Sequence, residues 1–453
     1  MISRQQTVKL IWAFTTVWVA VMLLSLRFNW LGRFFFDTNH AHVQGIDFFP
    51  IERAFLNFIA GRSQFDTFAI AYGPYATWYL YHPAMALIIG PILWAFTPWT
   101  AYAIWNFISM SLMAASTFAI ASRTHDPLRR ALVALLMLGG FPVYIMLYVG
   151  NVQALLVLSI TLVLVSVDAM REVGATPRNQ ALLLTGLLVS LFSKPAVFAM
   201  LPLLLMLKQT RRTTLKAIGI YASVSLAFLV VPALNPVPIT WSQRIDLATH
   251  PTLIGQTMNV YTNGFKVTPA MKDNSVHWLA MLGLSDYRFL HVDVYSLPAF
   301  LDGLLHTRTL DALYRVPGIF ILEMSALVWF VRNRQLRLEA ALLVLMAASL
   351  LVFLSYGLVW EHHYTTVFPV AALLLTRKRL SPVEWTIVAL GTVVWLPSLY
   401  FTVSHQDAAL LSVQTVIRLD RVVPVLAIFC LLLLRAGNLT LKGGLQPRPV
   451  ISG

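Results

Sequence analysis

"LIWAFTTVWVAVMLLSL", residues 10–26, runs for seventeen residues without a charge or a proline. An α-helix needs about 20 apolar residues to cross a bilayer core roughly 30 Å thick, so this run is close to spanning length. "AIGIYASVSLAFLVVPAL" (217–234) is a second such run, and others recur along the 453-residue chain. The chain is 58% hydrophobic and only 11% charged, with a mean hydropathy of +0.72. Soluble domains carry about a quarter charged residues. The sequence therefore predicts an all-α, multi-pass transmembrane protein. Arg4 and Lys9 precede the first run as in a signal peptide. No small-residue cleavage site follows, so the run is expected to stay as a first span.

Lys and Arg number 33 against 19 Asp and Glu, a net charge of +14. In a soluble chain that excess would suggest nucleic acid. Here the basic residues gather beside apolar segments, in "RTHDPLRR" (123–130), "KQTRRTTLK" (208–216), "RNRQLR" (332–337) and "RKR" (377–379). That is the positive-inside pattern, in which charge reports orientation. It predicts a multi-pass cell-membrane protein of about 11–13 spans with both termini cytoplasmic. Residues 28–76, 235–312, 357–363 and 402–419 then face outward. One membrane domain, 1–435, carries these loops, and 436–453 forms a short cytoplasmic tail. Cys430 is the single cysteine, which excludes a disulfide framework or a thiolate metal site within one chain.

Two places leave the count open. Residues 77–96 and 98–122 look like two spans, yet strict alternation would then put the basic run 123–130 outside. One of the two is therefore a candidate re-entrant or surface helix. Residues 181–207 read either as one span with Lys194 buried or as two legs with "SKP" at an outer tip. A lysine at the bilayer centre costs about 2.5–3.5 kcal/mol on insertion scales. Pro195 would also interrupt a helix there, so two legs are expected.

Within the first outer loop, "GIDFFPIERAFLNFIAGRSQFD" (45–66) spaces Phe48, Ile51, Phe55, Phe58 and Ile59 as one helical face, with Glu52, Arg53, Asn57 and Arg62 elsewhere. This predicts a helix lying in the membrane interface. Asp47 stands just before its first turn, where helix N–H groups and the dipole stabilise a carboxylate. Spacing alone favours a plain N-cap there; a catalytic base is the sharper reading. Glu52 and, more weakly, Asp66 are second carboxylates in the same loop.

Further polar groups fall on the same predicted face. In "YLYHPAMALIIGP" (79–91), His82-Pro83 sets a sharp turn into an apolar run. Tyr72, Tyr75, Trp78, Tyr79 and Tyr81 fit an aromatic belt. In "LYVGNVQALL" (147–156), Asn151 and Gln153 sit at an outer turn, where turn chemistry alone accounts for Gly150-Asn151 and binding of ligand hydroxyls is the alternative. "SYGLVWEHHYTTVFPV" (355–370) sets Glu361, His362 and His363 side by side. Adjacent histidines point in different directions and lack the spacing of a zinc site, so no metal or other cofactor is expected. A carboxylate, a lysine, histidines and amides together supply a base, cations for a phosphate leaving group and donors for a sugar.

These segments resemble glycosyltransferase family 87, a group of GT-C type. "DFFPIERAFLNFIAGRSQFD" followed by "YLYHPAMALIIGP" is similar to its acidic first outer loop and "YPP" motif, with His82 in place of the first proline. "GNVQALLVL", "LFSKPAVFAMLPLLL" and "SYGLVWEHHYTTVFP" resemble its glycine–amide turn, its "KP" hairpin and its Trp-x-His-His segment. The motifs run in order over about 45–370. The family includes polyprenyl-phosphate-mannose-dependent mannosyltransferases and a decaprenyl-phosphate-arabinose-dependent arabinofuranosyltransferase. The resemblance implies a GT-C-like fold and inverting transfer of a sugar from a polyprenyl-phosphate donor. The acceptor would be a glycolipid or polysaccharide on the outer side of the membrane. It makes Asp47 the counterpart of the family's first-loop acid, with His362 and His363 the counterparts of its histidine segment. Glu52, His82, Asn151, Gln153, Lys194 and Glu361 complete the expected binding set. The 235–312 loop matches no motif and is the expected seat of acceptor recognition. A transporter or flippase of lipid-linked sugars is the rival reading. It would call for internal repeats and mid-membrane polar sites, and no repeat is legible.

Overall fold

A computed structural model of the chain describes residues 3–32, 44–59, 73, 79, 81–234, 325–329, 331–332, 338–351, 353, 361–399 and 411–444. Every element described is helical. The helices named below are α1 (Arg4–Phe28), α2 (Phe49–Ile59), α3 (Pro83–Leu93), α4 (Pro98–Ala121), α5 (Pro127–Leu138), α6 (Phe141–Val149) and α7 (Gln153–Val173). They continue with α8 (Pro177–Phe192), α9 (Leu201–Met206), α10 (Arg211–Leu234), α11 (Leu338–Ser349), α12 (Val367–Leu375), α13 (Pro382–Trp395) and α14 (Leu411–Gly444). Short 3-10 turns cover Pro195–Ala199 and Glu361–Thr366.

Among the described residues, four helices are long and apolar enough to cross a membrane: α1, α4, α7 and the Leu419–Leu439 stretch of α14. The bent pair α5 and α6, 41° apart, makes a fifth if it counts as one span. That is fewer than the expected 11–13, and residues 235–324 lie outside the described residues. Phe107 and Phe118 of α4 are 73% and 75% exposed, and Trp12, Phe14 and Val17 of α1 are exposed too. Large side chains bared along whole helices suit a hydrocarbon surround, where apolar exposure carries no penalty.

The core forms around α7, whose side chains from Ala154 to Met170 are buried almost throughout. It packs against α4, α8 and α11, while α14 closes against α11 and α13. At the C-terminal end of α7, Arg123 pairs with Asp168 at 2.9 Å and with Glu172 at 2.5 Å, and Arg171 reaches Asp168 at 3.1 Å. Arg4 pairs with Asp126 at 2.6 Å, and Arg129 donates to the Lys378 carbonyl at 2.9 Å. The basic segments at 4, 123–130, 171 and 377–379 thus meet at one end of the bundle. Gln153 starts α7 at the other end of its 21-residue length. At 1.5 Å per residue that length is about 30 Å.

Both open points in the count acquire a geometry. Helix α3 has 11 residues, about 16 Å, which is too short to cross alone, and it packs on α2. The 181–207 stretch is two legs. Helix α8 ends at Phe192, and α9 runs back until Gln180 at its foot donates to the Gln209 carbonyl at 2.7 Å. The break is local chemistry. A residue before proline is pushed into extended backbone, and Lys194 adopts φ −126°, ψ 119°. The Ser190 hydroxyl then donates to the Lys194 carbonyl at 2.5 Å and accepts from Val197 N at 3.3 Å.

Three expectations are corrected. Helix α2 does not expose a polar face: Glu52, Arg53 and Asn57 are as buried as Phe48, Ile51 and Ala54. It is wedged between α3 and the aromatic start of α4, with Phe49 edge-on to Trp99 at 5.4 Å and Phe48 stacked on Trp105 at 6.2 Å. Tyr79 and Tyr81 are 2% and 4% exposed, so neither belongs to a lipid-facing belt. Tyr72, Tyr75 and Trp78 lie outside the described residues. Residues 436–444 are not tail but the continuation of α14, and 445–453 fall outside the described residues.

Candidate functional site

The site begins with the way α6 ends. Gly150 takes the left-handed conformation (φ +71°), Gly150 N donates to the Leu147 carbonyl at 3.1 Å, and Asn151 N donates to that of Met146 at 3.0 Å. This pairing closes a helix around a C-terminal glycine. It leaves the last carbonyls of α6 facing outward, and other segments bond to them. Gly45 N donates to the Tyr148 carbonyl at 2.8 Å, and Asp47 N donates to that of Val149 at 2.9 Å. Tyr102 Oη donates to the Leu147 and Tyr148 carbonyls, and Trp105 Nε1 to that of Gly150 at 2.9 Å. The 44–48 turn is thereby fastened beside Asn151.

Asp47 does not cap α2. Among the described residues its carboxylate accepts one hydrogen bond, from Asn151 Nδ2 at 2.7 Å. His362 Nε2 stands 4.0 Å from the same oxygen. Protein atoms crowd the carboxylate on most sides, yet 31% of the side chain stays open. Burial raises its pKa above the ordinary carboxylate range, and the Asn151 hydrogen bond and the Lys194 charge offset only part of that rise.

Lys194 is the second centre. From its extended position between α8 and the 3-10 turn, Nζ donates to Asn151 Oδ1 at 3.0 Å and to Gln153 Oε1 at 3.3 Å. It also lies 3.0 Å from His363 Nε2. An ammonium has only donors, so the His363 nitrogen facing it is the unprotonated one. Burial lowers Lys194 to about 8, with Asp47 pulling the other way. Burial and the neighbouring ammonium together hold His362 well below its ordinary value, so it is neutral.

The histidine turn is set from both sides. Gln153 Nε2 donates to the His363 carbonyl at 3.3 Å, and Thr365 and Thr366 hydroxyls close on the His362 and His363 carbonyls at 2.8 and 2.9 Å. The two imidazole centroids are 4.3 Å apart. Behind them Arg421 of α14 holds Glu361.

Of the predicted residues, Asp47, Asn151, Gln153, Lys194, His362 and His363 come together. Glu361, expected to bind substrate, is committed to Arg421. His82 is committed to the fold: Nδ1 accepts from Ala84 N at 3.1 Å, capping α3, and Nε2 meets Ser225 Oγ at 3.1 Å. Glu52 is wholly buried and takes no part in the cluster's hydrogen bonds; burial raises it to about 8. Asp66 lies outside the described residues. Sequence reasoning missed Arg421 and Tyr81. Tyr81 Oη approaches Asn151 Nδ2 at 3.5 Å, although its tyrosine-rich sequence context fits an aromatic belt. "RLDRVVP" (418–424) looks like an ordinary basic flank of a span, and only the partner 60 residues earlier gives Arg421 its role.

The arrangement offers an accessible carboxylate, an ammonium and two neutral imidazoles within one hydrogen-bonded group. No three His, Cys, Asp or Glu side chains among the described residues are grouped to hold a metal. Comparison of the chain with protein-family models, with curated proteins and with solved structures finds no match.

Proposed function

We propose that the chain is a membrane-embedded inverting glycosyltransferase of GT-C type. In this reading it moves mannose or arabinofuranose from a polyprenyl-phosphate donor to an envelope glycolipid or polysaccharide on the outer face of the cell membrane. The observation that carries the reading is the state of Asp47: a partly open carboxylate that does not cap α2 and is held by Asn151, which also binds Lys194, with His362 Nε2 4.0 Å away. Turned away from the helix N-terminus, it is free to accept a proton from a substrate. Asp47 would take the proton of the acceptor hydroxyl as that oxygen attacks the anomeric carbon. The bond from that carbon to the lipid phosphate oxygen breaks on the opposite side, and its electron pair leaves with the phosphate. Lys194 balances the charge that develops there, and the neutral imidazoles can donate hydrogen bonds to it. A base lifted toward neutral pH is better matched to this task than an ordinary aspartate.

The outer-face assignment is supported by the ion-paired basic end of the bundle, which the positive-inside rule puts in the cytoplasm. The cluster lies at the opposite tip of α7 rather than halfway along it, which suits an interfacial transferase better than a transporter with a mid-membrane site.

The test is sugar transfer by the purified protein in nanodiscs, given radiolabelled polyprenyl-phosphate mannose, arabinofuranose or glucose and a membrane glycan extract. Label is expected to enter the acceptor fraction from one donor. Retention of label in the donor in every case, with transbilayer movement of one donor in vesicles, would replace the transferase with a flippase.

A further inference from the structure

Arg421 is one of the largest side chains buried without measurable exposure, in an apolar helix far along the chain from the cluster. Its Nε donates to both Glu361 oxygens at 3.1 Å, and Nη2 donates to Oε1 at 2.5 Å. Nη2 also donates to the Leu396 carbonyl at 2.5 Å, and the guanidinium carbon lies 5.9 Å from the Tyr364 ring centre. Asp420, beside it, accepts from Leu399 N at 2.8 Å and faces Arg421 Nη1 at 3.5 Å. One guanidinium therefore ties α14, the end of α13 and the Glu361–Thr366 turn together. Glu361 directly precedes the two histidines. A buried ion pair is a poor device for stability alone, because desolvation consumes much of its attraction. Its strength is geometric: the planar fork fixes its partner in two directions.

We infer that Arg421 is a positioning residue, which through Glu361 sets the height and angle at which His362 and His363 face Asp47 and Lys194. The proposal rests on the transferase reading for its effect on turnover, but not for its structural readout.

Arg421→Lys keeps the charge and loses the fork. Diethyl pyrocarbonate labelling in nanodiscs, quantified by mass spectrometry, reports the freedom of each imidazole. His82, buried and held by Ala84 N and Ser225 Oγ, serves as the reference for general loosening. Labelling of His362 and His363 is expected to rise several-fold while that of His82 stays constant. With a donor that the wild type uses, kcat is expected to fall on the order of 10- to 100-fold, as for a misplaced catalytic group. Donor KM should stay within about twofold. Glu361→Gln, which preserves shape and removes the partner charge, should reproduce both effects. Unchanged histidine labelling in a folded Arg421→Lys protein would overturn the proposal. So would a parallel rise at His82, or failure of both variants to fold, since each marks the pair as a general brace. If the wild type transfers no sugar, the function falls and the labelling result still decides this point.

Discussion

Asn151 Nδ2 donates to Asp47 Oδ2 at 2.7 Å, across 104 residues of chain. The other end of the same amide accepts from Lys194 Nζ at 3.0 Å, so one side chain fixes both the anion and the cation of the site. Asn151→Ala should leave both without that partner and lower transfer about 10- to 100-fold. Asn151→Asp is the sharper variant, because it replaces the donor facing Asp47 with a second carboxylate. Like charge raises the pKa of Asp47 further, so the acid limb of the pH–rate profile should move to higher pH. An unmoved acid limb would detach Asp47 from Asn151.

Wild-type activity should follow a bell in pH. The base must be deprotonated and the cation protonated, so turnover falls as pH drops through the raised Asp47 value and again as pH rises through about 8, where Lys194 loses its proton. Lys194→Arg keeps its charge well above that point, so the alkaline limb should move up even if the maximal rate falls. Initial rates between pH 5 and pH 10 check both limbs.

Glu52 supplies a stability test separate from catalysis. Burial raises this carboxyl from 4.5 to about 8, and neither of its oxygens has a hydrogen-bond partner among the described residues. Between those values the folded protein holds a proton that the unfolded chain releases, so Glu52 weakens the fold progressively as pH climbs from 4.5 through 8. Glu52→Gln should therefore raise the unfolding temperature by a few degrees at pH 8, and the gain should vanish below pH 4.5. A gain of equal size at both ends would contradict the assignment.

Gly150 is tested by adding one carbon. At φ +71° an alanine costs about 1–2 kcal/mol in backbone strain. Its Cβ would also stand 2.6 Å from Phe48 Cβ. Phe48 adjoins Asp47, so Gly150→Ala should lower the unfolding temperature and reduce transfer together. A destabilised protein with full activity would show that the Asp47 turn tolerates the shift.

Much of the fold was legible because it rests on local chemistry. Apolar run length marked α1 and α4 as long enough to cross a membrane, Pro195 broke the 181–207 stretch at Lys194, and Gly150-Asn151 closed α6. Six of the nine proposed site residues converge because their motifs sit at segment ends, where turn residues and polar groups collect. The misreadings are all of long-range origin. The spacing of α2 marks one apolar face, but packing on α3, Trp99 and Trp105 covers the other faces as well, which buries Glu52. His82 and Glu361 carry suitable chemistry, yet Ser225 and Arg421 engage them from 143 and 60 residues away. Nothing in a linear pattern distinguishes such a residue from one that faces a substrate.

The central claim is that Asp47 is the base. It is tested most directly by comparing single-turnover sugar transfer of the wild type with that of Asp47→Asn, which keeps the size of the side chain and the contact with Asn151. Folding and donor binding are expected to be unchanged, with transfer slowed about 10²- to 10⁴-fold. Transfer by Asp47→Asn at the wild-type rate would contradict the claim.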